Sequence, residues 1–238
     1  YINAAFPDMN VKMLRKYGFL LLVCILIAGC CPCSLVPPVN PNAKNIILLI
    51  GDGMGAEHIK AARWVILGDG SSLSMNNMPV SGLSHTRSAD NPVTDSAAAA
   101  TAMASGVKTT NGFIGMDANF NPVPTILEEA KKQGKAVGLV TTIQITHATP
   151  AAFASHVKDR NSMVEIAAQM SAEGVDVLMG GGEDEFLPTS DTGCYQEPGE
   201  RNDNRNLIKE AISGGYTYIC DSTSLASVEP SSTHKLLG

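Results

Sequence analysis

Five consecutive apolar residues, Ile46 to Ile50, run straight into Gly51, Asp52, Gly53 and Gly55. An unbroken apolar run of this length that ends in glycines predicts a strand buried on both faces, followed by a tight turn. Downstream the pattern changes period. "TILEEAKKQGKAVGLVTT" predicts an amphipathic helix from Thr125 to about Gln133, a glycine stop, and a strand from Ala136 to Thr142. "MVEIAAQMSAEGVDVLMGGG" repeats the plan, with a helix to Ala172 and a strand near Val175 to Met179, and "RNLIKEAISGGYTYICDS" repeats it again. Helix and strand alternating at this spacing predict an α/β fold, a central and mostly parallel sheet sandwiched by helices. The segments "TTIQITHATP" and "GGGEDEF" then follow strand ends, and they are expected to share one sheet edge with "GDGMG".

The N-terminal pattern is of another kind. Lys12, Arg15 and Lys16 precede an apolar run from Phe19 to Ala28, the charge-then-apolar layout of an export signal and too short for an ordinary membrane-spanning helix. "LIAGC" resembles the bacterial lipoprotein signal, in which the cysteine is lipidated and becomes the new N-terminus. Cys30 is therefore the candidate anchor, with a plain signal peptide cut nearby or an uncleaved anchor as alternatives. On this reading residues 1–8, which precede Met9, are upstream translation, 9–29 are the signal and 30–43 are a Pro- and Asn-rich tether. Residues 44–238 are the folded part, held at the membrane of an exported periplasmic or cell-surface protein.

Composition narrows the function. The chain has 238 residues, 44% of them hydrophobic, and a formal net charge of −6, which supports a packed core and argues against a nucleic-acid partner. Of six cysteines only Cys194 and Cys220 lie in the body of the chain. Export permits those two to pair, and the sequence leaves the pairing open. No Cys and His spacing of the structural zinc type occurs, so any metal needs other ligands.

Candidate chemistry centres on "PVTDSAAAATAMASGVKT", residues 92–109. Asp95 and Ser96 open an alanine-rich helix, where either could simply cap the first turn. A serine there also faces free N–H groups and the positive helix end, which favour an alkoxide or a phosphate. A hydroxyl needs a base or a metal to attack, and no G-x-S-x-G elbow surrounds Ser96. Metal activation remains, and Asp52 offers a carboxylate for it. Taken alone, Asp52 reads equally as a turn residue.

The stretches "NIILLIGDGMG", "VTDSAAAATAMASGVKTTNG" and "THATPAAFASHVKDR", with "PTILEEAK" and "LMGGG", resemble the alkaline phosphatases in order and spacing from about Asn45 onward. These are metal-dependent phosphomonoesterases of an α/β sandwich fold. The resemblance implies that Ser96 is the nucleophile, forming a covalent phosphoserine, and that Asp52 bridges a magnesium site and one of two zinc sites. It implies that Thr149 is a hydroxyl ligand of the magnesium site, with His147 at a neighbouring position where members carry Asp or His. Arg160 would hold two phosphate oxygens, a task its planar fork suits and a lysine does not. Asp95 would orient that arginine or a neighbouring amide.

An imidazole at 147 is expected to make the third metal site less selective for magnesium than a carboxylate would. His58, His85 and His156 match no role and are expected at surface or packing positions. The implied partners are a phosphomonoester and inorganic phosphate, and a second copy of the full-length chain. Two alternatives stand beside hydrolysis of monoesters: a phosphodiesterase of the same superfamily, and a lipid-anchored phosphate-binding protein without turnover.

In the family a second half supplies a glutamate for magnesium and the aspartates and histidines that complete both zincs. Those motifs do not occur in these 238 residues. The residues are read as part of a longer frame, expected to show little or no hydrolysis by themselves and to expose unpaired sheet edges.

Overall fold

The structure, a computed structural model, describes residues 43–68 and 70–238. The expected upstream segment, signal, Cys30 and nearly all of the tether lie outside the described residues. The chain divides into two units after Ile50. In the described part of the first, the expected strand from Ile46 to Ile50 does not form: these residues carry no strand, and Ile47 is 87% exposed. A single extended segment has no ladder of its own, and no described strand pairs with this one.

The second unit begins at the predicted turn. Met54 N–H donates to Gly51 O at 3.2 Å, and Gly53 has φ +65°, which glycine adopts without the steric cost a side chain would bring. Helix α1 (Ala56–Leu67) follows, and then α2 (Ser96–Ser105), ended by Gly106 at φ 73°. The three helix-strand units come next. They are α3 (Ile126–Lys132) with β1 (Gly138–Gln144), α4 (Ala148–Ala154) and α5 (Met163–Glu173) with β2 (Val177–Gly181), and α6 (Leu207–Ser213) with β3 (Thr217–Tyr218). Helix α7 (Ser222–Ala226) and strand β4 (Leu236–Leu237) complete the order.

Local chemistry sets the helix starts. Thr125 caps α3, its hydroxyl accepting from Glu128 N–H while Glu128 Oε2 accepts from Thr125 N–H at 2.9 Å, a reciprocal capping box. Asn206 caps α6 by accepting from Lys209 N–H, and Asp221 caps α7 through a second reciprocal box with Ser224.

The sheet is parallel throughout, in the order β1-β2-β4-β3. Gly138 aligns with Val177, and Gln144 aligns with Gly181 across an irregularity, so the segments after β1 and β2 leave the sheet side by side. Ile145 N–H continues the contact by donating to Gly181 O at 2.9 Å. Strand β4 inserts between β2 and β3, pairing Leu236 with Val177 and Thr217. Strand β1 is an edge, and Val140 on it is 71% exposed. No helix of the described residues is long and apolar enough to cross a membrane.

Helices α2 and α4 pack against each other through small residues. Ala97, Ala98, Ala100 and Ala104 are buried on the first, and Ala148, Ala151, Ala152 and Ala154 on the second. Small side chains let two backbones approach closely, so the alanines serve packing as well as propensity. Gly115 is held nearby for a similar reason: at φ +59°, a Cβ there would meet Ser155 O at 2.1 Å.

Cys194 and Cys220 are joined as a disulfide, with Cα atoms 6.0 Å apart and a sequence separation of 26. Closing a loop of this length removes unfolded-state entropy. Replacing both cysteines by serine is expected to lower unfolding free energy by about 3 kcal/mol, read from urea denaturation. Enlarging the helix contact by Ala100→Leu is expected to cost about 1–3 kcal/mol in the same measurement, because the close approach leaves no room for the added carbons.

Candidate active site

Helix α2 begins with a division of labour between adjacent residues. Asp95 is the cap: its Oδ1 accepts from Ala98 N–H at 2.9 Å. Ser96, the first helical residue, is left with its hydroxyl turned to another element, and it donates to Asp52 Oδ1 at 2.9 Å. The other oxygen of the same carboxylate, Oδ2, accepts from Thr149 Oγ1, also at 2.9 Å. Thr149 lies in the first turn of α4, just as Ser96 lies in the first turn of α2. Two helices that pack through alanines thus present one hydroxyl each to the carboxylate on the Gly51–Met54 turn.

Arg160 reaches this group from the segment after α4. Its Nη1 donates to Asp95 Oδ2 at 3.1 Å, and its Nη2 lies 3.3 Å from His147 Nε2. An always-charged guanidinium can only donate, so Nε2 accepts and the imidazole is neutral in this arrangement. Burial, together with the positive charge of Arg160, holds His147 below the usual imidazole pKa, while the negative charge of Asp52 partly opposes the shift. Asp95 Oδ2 accepts a second bond, from Gly112 N–H at 2.9 Å, and Arg160 N–H returns one to Gly112 O at 2.9 Å. Asn111 Oδ1 accepts from Asp95 N–H at 3.0 Å. Both the side chain and the backbone of Asp95 are therefore fixed.

The residues singled out by sequence form two hydrogen-bonded groups, Asp52 with Ser96 and Thr149, and Arg160 with Asp95 and His147, which the chain joins where Asp95 precedes Ser96. Asn111 and Gly112 were assigned no role; the "NG" turn signal at 111–112 marks the bend but not its partner. His156 occupies a packing position. Its Nδ1 lies 2.6 Å from Gly115 O and its Nε2 lies 2.7 Å from Glu128 Oε1, so it ties the end of α4 to the cap of α3.

The donor set can be tested against a divalent cation by its chemistry. One carboxylate, two hydroxyls and an imidazole offer hard oxygen and borderline nitrogen donors, which suit magnesium and zinc respectively. Asp52 directs its two oxygens to different hydroxyls, a disposition that fits a carboxylate shared between two ions. The residues present fit part of such a centre.

A family model described as alkaline phosphatase matches residues 43–238. The chain belongs to the alkaline phosphatase family. Among its relatives, the repressible alkaline phosphatase of Saccharomyces cerevisiae is 40% identical over 219 residues, covering 85% of this chain and 37% of that protein. Streptomycin-6-phosphate phosphatase of Streptomyces griseus is 37% identical over 212 residues, covering 79% and 46%. The alkaline phosphatase of the Antarctic bacterium TAB5 superimposes with a TM-score of 0.65 at 32% identity, covering 81% of this chain and 52% of that one. Variants of that enzyme with a histidine replaced by glutamate or aspartate hold Mg in a site called M3. The chain spans between about a third and a half of the length of these relatives.

Within the family chain, Asp95 joins the cap, the 111–112 bend and Arg160. Asp95→Ala is expected to cost about 2–3 kcal/mol of stability, from a lost cap and two unpaired donors, read by urea denaturation. Asp95→Asn keeps a cap acceptor and is expected to lose about half as much.

Proposed function

We propose that the chain supplies the nucleophile side of a phosphomonoesterase that works through a covalent phosphoserine at Ser96. The observation that carries this reading is the Asp52 carboxylate held between the hydroxyls of Ser96 and Thr149, at 2.9 Å from each. Two zincs and one magnesium, held in part by Asp52, Ser96, His147 and Thr149, would supply charge neutralisation and lower the pKa of the serine hydroxyl. Ser96 Oγ, once deprotonated, attacks phosphorus. The bond from phosphorus to the alcohol oxygen breaks, and that oxygen leaves with the electron pair and takes a proton from water. A water oxygen then attacks the phosphoserine, the Oγ–P bond breaks, and inorganic phosphate departs while Ser96 recovers its proton.

Arg160 positions the phosphoryl group through two parallel N–H donors, and Asp95 orients the guanidinium. The N-terminal N–H groups of α2, ten residues long, add positive potential beside the same oxygens. His147, neutral toward Arg160, leaves the arginine's charge for the substrate. An imidazole in place of a carboxylate makes the magnesium site less selective, a reading in line with the magnesium-holding carboxylate variants of the TAB5 enzyme. The Streptomyces relative, named for a phosphorylated small molecule, supports a monoester substrate class. Attachment to a membrane through lipid on Cys30, an exported location and assembly as a homodimer complete the proposal.

Acid quenching of the metal-replete full-length protein after incubation with a labelled phosphomonoester tests the nucleophile. Label is expected on the peptide that contains Ser96, and none is expected in Ser96→Ala. Orthophosphate that binds in an Arg160-dependent way without any label on Ser96 would replace this reading with that of a phosphate-binding protein. Arg160→Lys is expected to weaken orthophosphate binding by about tenfold or more, since a point charge cannot reproduce the two-bond fork.

A further inference from the structure

The segment between β2 and α6 leaves the sheet at Gly181 and returns near Arg201. Asp184 and Glu185, on a single 3-10 turn, stand at its start, and Glu200 stands at its end. Carboxylate oxygens of these three residues lie within 4.8 Å of one another. The segment's two limbs are already joined by Glu200 N–H, which donates to Asp184 O at 2.9 Å, so the convergence is fixed by backbone.

Burial, with Asp184 and Glu200 beside it, pushes the pKa of the Glu185 carboxyl up to about 7, so holding all three groups ionised at this spacing costs free energy. Glu185 is only 2% exposed, and its Oε2 is buried without a hydrogen-bond partner. A buried carboxylate of this kind calls for a counter-charge. The obvious one is not available. Arg201, also 2% exposed, gives Nε and Nη2 to Asp203 and Nη1 to the carbonyls of Val164 and Glu185. Among the described residues, no lysine, arginine or histidine pairs with Asp184, Glu185 or Glu200.

We propose that Asp184, Glu185 and Glu200 form a binding site for a calcium-class divalent cation, separate from the Asp52 centre, that clamps the two ends of the 184–200 segment. The donor chemistry selects the ion. All three ligands are carboxylates, which suits a hard cation and not a thiolate- or imidazole-seeking one. Glu200 is solvent-exposed and Asp184 half-exposed, so water can complete a large and flexible shell, as calcium accepts and magnesium resists. The role is structural: the segment carries Cys194 of the disulfide, and the ion offsets the repulsion that otherwise pushes its two ends apart.

Calcium titration calorimetry on the full chain, stripped with EDTA and made in the Asp52→Ala background, tests the site apart from the candidate active centre. The expected result is one calcium per chain with a dissociation constant on the order of 10⁻⁴ M, and a calcium-dependent rise in melting temperature. Adding Glu200→Gln, an exposed substitution that does not threaten folding, is expected to weaken binding about tenfold or more and to remove the thermal shift. Asp184→Asn provides a second variant with the same expectation. Absence of calcium binding up to about 10 mM, or an affinity unchanged by both substitutions, overturns the proposal. So does a melting temperature that responds to acidification but not to calcium, since a shared proton would then be the counter-charge.

Discussion

The contact between α2 and α4 is the constraint on which the candidate site depends. Each helix carries a hydroxyl in its first turn, and each turns a face of alanines to the other. With side chains this small, the distance between helices is set nearly by backbone, and the two N-termini arrive beside the same turn. Only then can one carboxylate, Asp52, accept from Ser96 and Thr149 together. Larger residues would still make helices, but they would move the hydroxyls apart.

A second layer of constraint keeps the charges in order. Asp95 uses one oxygen as a helix cap and the other as the meeting point of Arg160 and Gly112. The cap is thus also the orienting group of the arginine, and neither duty is separable from the other. Arg160 in turn faces a neutral His147, so the half-buried cation is balanced by Asp95 and keeps donor capacity for an anion. Positive potential from α2 adds to it. Under the proposed function, these donors would meet the oxygens of a phosphoryl group.

The acidic group at 184, 185 and 200 obeys the opposite logic. There the charges are of one sign, a carboxylate is buried, and the one buried arginine alongside is committed to Asp203 and to backbone carbonyls. Stability of this segment rests on a disulfide, on backbone bonds such as Glu200 N–H to Asp184 O, and on whatever neutralises the cluster.

Much of the second unit was legible in the chain itself, because its signals are local. The reciprocal cap at Thr125 and Glu128, the glycine stops, and the switch from helical to strand periodicity all act over a few residues, and the helices and strands after residue 125 appear near their expected places. The Ile46–Ile50 run shows the limit of that reasoning: an apolar run describes what a strand would bury but not whether a partner strand lies beside it. Strand β4, two leucines between β2 and β3, is the converse, too short to carry a period and defined by its neighbours alone. At the site, sequence determined which residue types stand at helix starts and after strands. Tertiary structure decided that Ser96 and Thr149, 44 and 97 residues from Asp52, meet on its two oxygens, and that Asp95 takes the cap and frees the serine. Capping and periodicity are set by neighbours along the chain, whereas such meetings are set by strand order and by how closely two helices can pack.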